Sequence, residues 1–310
     1  MLYGREERIM DQKATVKAYS AAIVFSVLVG FSFLGVKICV PLANSLQILT
    51  YRYDFAFLAL ILVLLSRIEK VNVRGKPKKR LFLTAGFYIG FMALQVIGLA
   101  FATSIEGAIV YAMIPIFVKV IASLFLGETS TILQNIFVGV TVTALIVMII
   151  LGSTEIHINV GGTIVLILSS LSMAISNVFM RYVRNEYKPI EISTAIILMG
   201  TLAFNLATVG YGLFTGTLGG YFAPLKDPKF VIATAYLGVG CILFSSQLIS
   251  YMLSKLPAVN ATIFNNVSTA ISIVAGVVVL GETLLPYHII CTALIIAGVL
   301  GLSFSGRRRL

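Results

Sequence analysis

The chain is dominated by apolar runs of about 20 residues, the length of α-helix that crosses about 30 Å of hydrocarbon at about 1.5 Å per residue. Ten such runs can be drawn, at 18–37, 46–66, 81–102, 105–126, 132–151, 160–181, 190–214, 230–252, 258–280 and 287–305. They are about twice as long as the 9–11 residues of a barrel strand and lack polar alternation, so helices are expected and not strands. A large soluble core would need amphipathic helices to cover it, and none are left over. Of 310 residues, 59% are hydrophobic and 11% charged, against about 25% charged in soluble domains. The expected fold class is all-α integral membrane protein with about ten transmembrane helices.

The net charge of +11 would suggest nucleic acid if the basic residues formed one surface, but they cluster in short connections, as in Arg67, Lys70, Arg74, Lys76, Lys78, Lys79 and Arg80. Retention of basic loops on the cytoplasmic side explains such clusters, and nucleic acid is not an expected partner. Eighteen of the 23 basic residues fall on one side of the expected topology, whereas only Lys226 and Lys229 fall on the other. Both termini are therefore expected in the cytoplasm, with the chain multi-pass in the plasma membrane. The first apolar run reads as a helix and not as a cleaved signal. Cys39, Cys241 and Cys291 are far apart, with neither a disulfide framework nor a metal spacing, and no cofactor is expected.

An internal repeat is legible. Leu126-Gly127-Glu128-Thr129 recurs as Leu280-Gly281-Glu282-Thr283, 154 residues later, each copy between two apolar runs. A second register, at 144 residues, pairs Lys37 with Arg181, Ser32 with Ser176, and Leu58-Ala59 with Leu202-Ala203. The ten-residue difference falls in the loop from Gly216 to Lys229. Two halves of five spans follow, 18–152 and 160–305, and an odd number per half inserts the second copy upside down. Such inverted repeats build many secondary transporters, with the ligand site between the halves near the bilayer midplane.

On these residues the sequence resembles the EamA family of the drug/metabolite transporter superfamily, in its ten-helix tandem-repeat form. The resemblance rests on the two Leu-Gly-Glu motifs, Lys37 and Arg52, and covers about residues 18 to 305. It implies export of amino acids or other small metabolites, and gives Lys37, Arg52, Glu128 and Glu282 structural roles. The family often has a tryptophan early in the first helix of a repeat, whereas this chain has Val29 and Met173 at those places and no tryptophan.

Polar groups inside hydrocarbon are costly and mark cavities or helix contacts. The ninth run carries Thr262, Asn265, Asn266, Thr269, Ser272 and Gly276 on one face, the sixth Ser169, Ser172 and Ser176, the eighth Gln247, Ser250, Tyr251 and Ser254, and the third Tyr88 and Gln95. The serines read first as packing residues. Asn265 and Gln95 read as ligand groups because their amides need both donors and acceptors. The candidate substrate-binding residues are thus Lys119, Asn265, Thr269, Gln95, Tyr88, Tyr111, Asn177, Gln247 and Tyr251. Asp54 and Glu106 are candidates for carrying a coupling proton, with capping of the fourth helix as the plainer role for Glu106. Arg52 is expected to snorkel or to hold loop carbonyls. Lys119, two turns from a helix end, could bind a substrate anion, pair with Asp54, or snorkel.

No Gly-rich loop ending in Gly-Lys-Ser/Thr is present, so energy from a proton or substrate gradient is expected and not from ATP. The reading is a secondary active transporter of a small organic metabolite working by alternating access. A membrane-embedded enzyme would show paired carboxylates or His-Glu-x-x-His on a span, and neither occurs, so no enzyme activity is expected. A lipid-handling or sensory membrane protein without solute flux is the other alternative. The expected partners are a small-molecule substrate and the lipid bilayer, with a homodimer left open.

Overall fold

In the computed structural model, which describes residues 17–67, 69–126, 131–154, 160–256, 261 and 264–306, helix runs nearly throughout and no strand occurs among the described residues. The helices are α1 (Lys17–Cys39), α2 (Ser45–Leu65), α3 (Lys78–Phe101), α4 (Ser104–Tyr111, continued by Ile114–Leu126), α5 (Ile132–Thr154), α6 (Val160–Val183), α7 (Pro189–Thr215), α8 (Pro228–Lys255), α9 (Asn265–Leu280) and α10 (Pro286–Gly306). Seven of these, α1 to α4 and α6 to α8, are long and apolar enough to cross a membrane. Three shorter apolar stretches, Asn135–Ala144, Asn265–Leu280 and Pro286–Gly301, accompany them. The chain is a multi-pass membrane protein. Glu128 and Thr262, singled out in the sequence, lie outside the described residues.

The bundle is inside out relative to a water-soluble one. Leu62, Leu202, Leu206, Phe214, Ile232 and Val278 are exposed on its outside, while Arg52, Gln95, Asn177 and Asn265 are buried within. Side chains that gain nothing from water face outward, and groups that would be costly in hydrocarbon face one another or a cavity.

The serine stripe on α6 does what packing predicts. Ser169, Ser172 and Ser176 donate to the carbonyls of Phe91, Phe87 and Thr84 at 2.8, 2.8 and 2.9 Å, one turn after another down α3. Rising numbers on α6 meet falling numbers on α3, so the two helices are antiparallel. At the α3 carboxyl end Lys37 Nζ donates to the carbonyls of Leu99 and Ala102 at 3.2 and 2.9 Å. At the α6 carboxyl end, which lies beside the start of α3, Arg181 donates to the carbonyls of Leu253 and Leu256 at 3.3 and 2.7 Å. Lys37 and Arg181 differ by 144, their acceptors by 154, the same two registers as in the sequence. The same contact is thus made twice, at opposite ends of the bundle. It joins the carboxyl end of a repeat's first helix to that of its third.

The second copy of the Leu-Gly-Glu motif, Leu280-Gly281-Glu282, has an equally definite job. Gly281 ends α9 in the left-handed region (φ 67°), which a side-chain-bearing residue would resist. The reversal aims Glu282 at the start of α4, where it accepts from Ser104 N, Ser104 Oγ and Ile105 N at 2.9, 2.8 and 3.1 Å. The glutamate does not merely organise its own turn. It caps a helix of the other half.

Candidate functional site

About midway along α2 and α3 the helices part around a small chamber. Arg52 comes from α2, Tyr88, Phe91, Met92 and Gln95 from α3, and Tyr111 from α4. The first helix contributes Phe25, Val29 and Ser32, and the second half contributes Met173, Cys241 and Ser245. The space between these residues, counting what opens beyond them, is ≈ 290 Å³, and very little of it is wide enough for water. That is room for about one water and no metabolite, so the chamber is shut around its polar groups. Both Val29 and Met173, which replace the family's tryptophans, face into it.

Arg52 is fully buried, and none of its three guanidinium nitrogens has a hydrogen-bond partner among the described residues. The titratable groups around it are Cys241, Tyr53, Tyr88 and Cys39, with no carboxylate among them. The sequence expectation of snorkelling, or of holding loop carbonyls, is therefore corrected. Arg52 is eight residues into α2, and its side chain is walled in by neighbouring helices, neither emerging at the surface nor bonded to a loop carbonyl among the described residues. Its backbone is pinned as well: Gly238 of α8 packs directly on the Arg52 carbonyl, leaving no space for a Cβ. Gly238 belongs to a stretch of π-helix, Tyr236–Phe244, a widened geometry often found at functional sites. The same stretch presents Cys241 to the chamber, and the next residue but three, Ser245, lies 3.4 Å from the Tyr88 hydroxyl.

Gln95 is 2% exposed, and its Oε1 has no partner. Tyr111 packs edge-on against Phe33 and tilts over Phe91, which in turn meets Tyr88 edge-on. Three sequence candidates, Tyr88, Gln95 and Tyr111, are thus brought together with Arg52.

The other candidates lie elsewhere. Gln247 and Tyr251 line a separate, wider pocket with Glu69 and Lys188. Thr269 donates to the Ala108 carbonyl at 2.9 Å and fastens α9 to α4. Asn177 and Asn265 are 0% and 1% exposed with unpartnered amides, but neither lines the chamber. Lys119 is half-buried and lines neither pocket. Its suggested pairing with Asp54 is absent from the ion pairs among the described residues.

Asp54 instead accepts from Asn205 Nδ2 at 2.7 Å, and the Tyr221 hydroxyl donates to Asn205 Oδ1 at 2.9 Å. Burial, and behind it the nearby Asp54 carboxylate, push the Tyr221 phenol up, which keeps it a donor. Glu106 closes a capping box: its carboxylate accepts from Thr103 N at 2.8 Å, and Thr103 Oγ1 accepts from Glu106 N at 3.1 Å. The capping role expected as the plainer one is the one its contacts describe.

Sequence reasoning missed Arg52 as a chamber residue, although an arginine deep in an apolar run was the available signal. It also missed Cys241 and Ser245, whose place depends on the π-helical stretch and could not be read from spacing.

The EamA-like transporter family matches twice, over residues 16–150 and 160–304. The chain is 35% identical over 287 residues to the uncharacterized transporter YcxC of Bacillus subtilis (strain 168), covering 92% of each chain. It is 24% identical over 281 residues to an uncharacterized transporter of Archaeoglobus fulgidus, covering 87% of this chain and 92% of that one. A solved crystal structure, 14% identical, superposes with a TM-score of 0.64 over 94% of this chain and 99% of its own, a likeness of fold.

Proposed function

The chain belongs to the EamA-like transporter family, and from that premise we propose that it is a secondary active transporter exporting a small organic metabolite, an amino acid or a related solute, by alternating access. The observation that carries this reading is the chamber. It lies between the two repeats about halfway along their helices, is lined by both, and holds buried polar groups, the Arg52 guanidinium and Gln95 Oε1, that no described residue satisfies. With repeats at 18–152 and 160–305, ten crossings place both termini on the cytoplasmic face of the plasma membrane, in keeping with the basic loops. Inverted repeats make the two faces alternatives, because exchanging the conformations of the halves turns an inward-open chamber into an outward-open one. Asp54 and Glu106 are the intramembrane carboxylates available for proton coupling.

The test is flux. Purified protein is screened by thermal shift for stabilising metabolites, and the hits are assayed in proteoliposomes. Saturable uptake that needs the protein and is blocked by Ser245→Trp, which fills the chamber, is expected. Ligands that bind but never cross would overturn the reading.

A further inference from the structure

Arg52 is the charged residue in the chamber wall, and no carboxylate lines the chamber with it. Stripping a guanidinium of water is costly unless an anion and good hydrogen bonds replace the water. Here its nitrogens have no partner among the described residues. A planar fork with free donors fits a carboxylate, which can take two parallel N–H bonds. Gln95 supplies the next unpaired group, an amide Oε1 on the same wall, one and two turns along α3 from Met92 and Tyr88. The rest of the lining is apolar or aromatic apart from Ser32, Ser245 and Cys241, which already bond to the carbonyls of Val29, Cys241 and Leu28.

We propose that the chamber is a monocarboxylate site: Arg52 pairs with the single carboxylate of an organic substrate of net charge −1, Gln95 bonds a neutral polar substituent beside it, and the apolar body packs on Met92, Met173 and the surrounding rings. The proposal rests on the transporter reading above and narrows its substrate from amino acids and related solutes to those that keep the carboxylate and lack the ammonium. Charge balance drives the choice. A carboxylate neutralises Arg52, whereas a phosphate dianion leaves a negative charge over. A zwitterion leaves its ammonium without a carboxylate, and aromatic faces and a Gln oxygen return only part of the lost hydration.

The experiment uses one carbon skeleton and the full-length protein in detergent, with binding measured by calorimetry. Phenyllactate carries the carboxylate and a hydroxyl, 3-phenylpropanoate lacks the hydroxyl, phenyllactamide is neutral, and phenylalanine is the zwitterion. Phenyllactate is expected to bind roughly tenfold or more tighter than phenyllactamide and phenylalanine, with 3-phenylpropanoate between. Arg52→Gln should erase the preference for carboxylate over carboxamide, and Arg52→Lys should keep it at lower affinity. Gln95→Leu should bring phenyllactate down to 3-phenylpropanoate. The panel on the unaltered protein stands even where an Arg52 variant fails to fold. Equal or tighter binding of phenylalanine or phenyllactamide, or no binding of any member, overturns the assignment. So does carboxylate preference surviving in Arg52→Gln. Carboxylate-selective binding without flux of phenyllactate in proteoliposomes would leave the site standing and remove the transport reading instead.

Discussion

Replacing Glu282 by alanine removes the acceptor of three hydrogen bonds at the start of α4, two from backbone N–H groups and one from the Ser104 hydroxyl. A hydrogen bond to a charged group contributes about 1.5–3 kcal/mol, and the helix amino end adds about 0.3–1 kcal/mol for a carboxylate placed there. Simple addition would overshoot, because the bonds share one half-buried carboxylate that loses hydration of its own. About 3–4 kcal/mol is the expected loss for Glu282→Ala. Glu282→Gln keeps one acceptor oxygen but turns an amide donor towards N–H groups that need acceptors, so it should lose about half as much. The same contact can be attacked from α9: a Cβ at Gly276 would lie 2.8 Å from Glu282 Oε2 and 2.7 Å from Ser104 Oγ. Gly276→Ala should therefore push the carboxylate off its cap and, combined with Glu282→Ala, add less than its separate effect. Unfolding in rising SDS, followed by far-UV circular dichroism, gives the order wild type, Gln, Ala. An alanine variant whose curve overlays the wild type would refute the cross-repeat cap.

Four further outcomes are expected. Lys37→Met and Arg181→Met should each lower stability in the same assay by about 2–4 kcal/mol, since each removes two bonds from a cation to helix-end carbonyls. Gly238→Ala, whose Cβ would meet the Arg52 carbonyl, should lose about 1–3 kcal/mol or more and change ligand affinity with it, because the chamber wall must shift; unchanged melting and binding would contradict the close packing. Lys119→Met should leave ligand binding in the chamber within about twofold of wild type by calorimetry, a tenfold loss showing instead that the lysine reaches the ligand. Tags at both ends should be reachable only from the cytoplasm and a tag in the 216–227 loop only from outside, and accessibility on opposite faces for the two ends would end the ten-crossing reading.

The helices were legible because hydrocarbon imposes both length and composition on anything that crosses it. The repeat was legible where chemistry is strict: Lys37 and Arg181 both need a cation at a helix end, and the Gly-Glu pair needs a left-handed turn followed by a carboxylate. The chamber was legible only in part. Tyr88, Gln95 and Tyr111 came from the rule that polar groups in apolar runs face inward, but that rule cannot separate a group facing a cavity from one facing a helix, as Thr269 shows. Arg52 was misread because only tertiary structure reveals whether a side chain is walled in and whether an acid stands beside it. Gln247 and Tyr251 share a helix with Cys241 and Ser245, yet the π-helical stretch before them changes the phase, so a constant 100° per residue could not assign their face.

One correspondence escaped the sequence because its chemistry differs between the copies. Gln47 and Glu191 stand 144 residues apart, each three residues past the N-cap of its helix. Each reaches past its own cap to hold the loop that crosses its end of the bundle. Gln47 Nε2 donates to the Gly220 carbonyl at 3.2 Å, beside the Tyr51 hydroxyl on the Tyr221 carbonyl at 2.6 Å. At the opposite end Glu191 accepts from Asn72 N at 3.0 Å and from Lys76 Nζ at 2.5 Å, while the Lys76 ammonium also lies 4.9 Å from the centre of the Tyr187 ring. One tie is neutral and the other ionic on a carboxylate 2% exposed, where Coulomb attraction is stronger than in water and screening weaker. A shared backbone frame therefore closes both ends of the bundle in the same register, but with unequal chemistry. The two-repeat fold supplies the equivalence of the two ends, and substitutions such as Gln for Glu are what distinguish them.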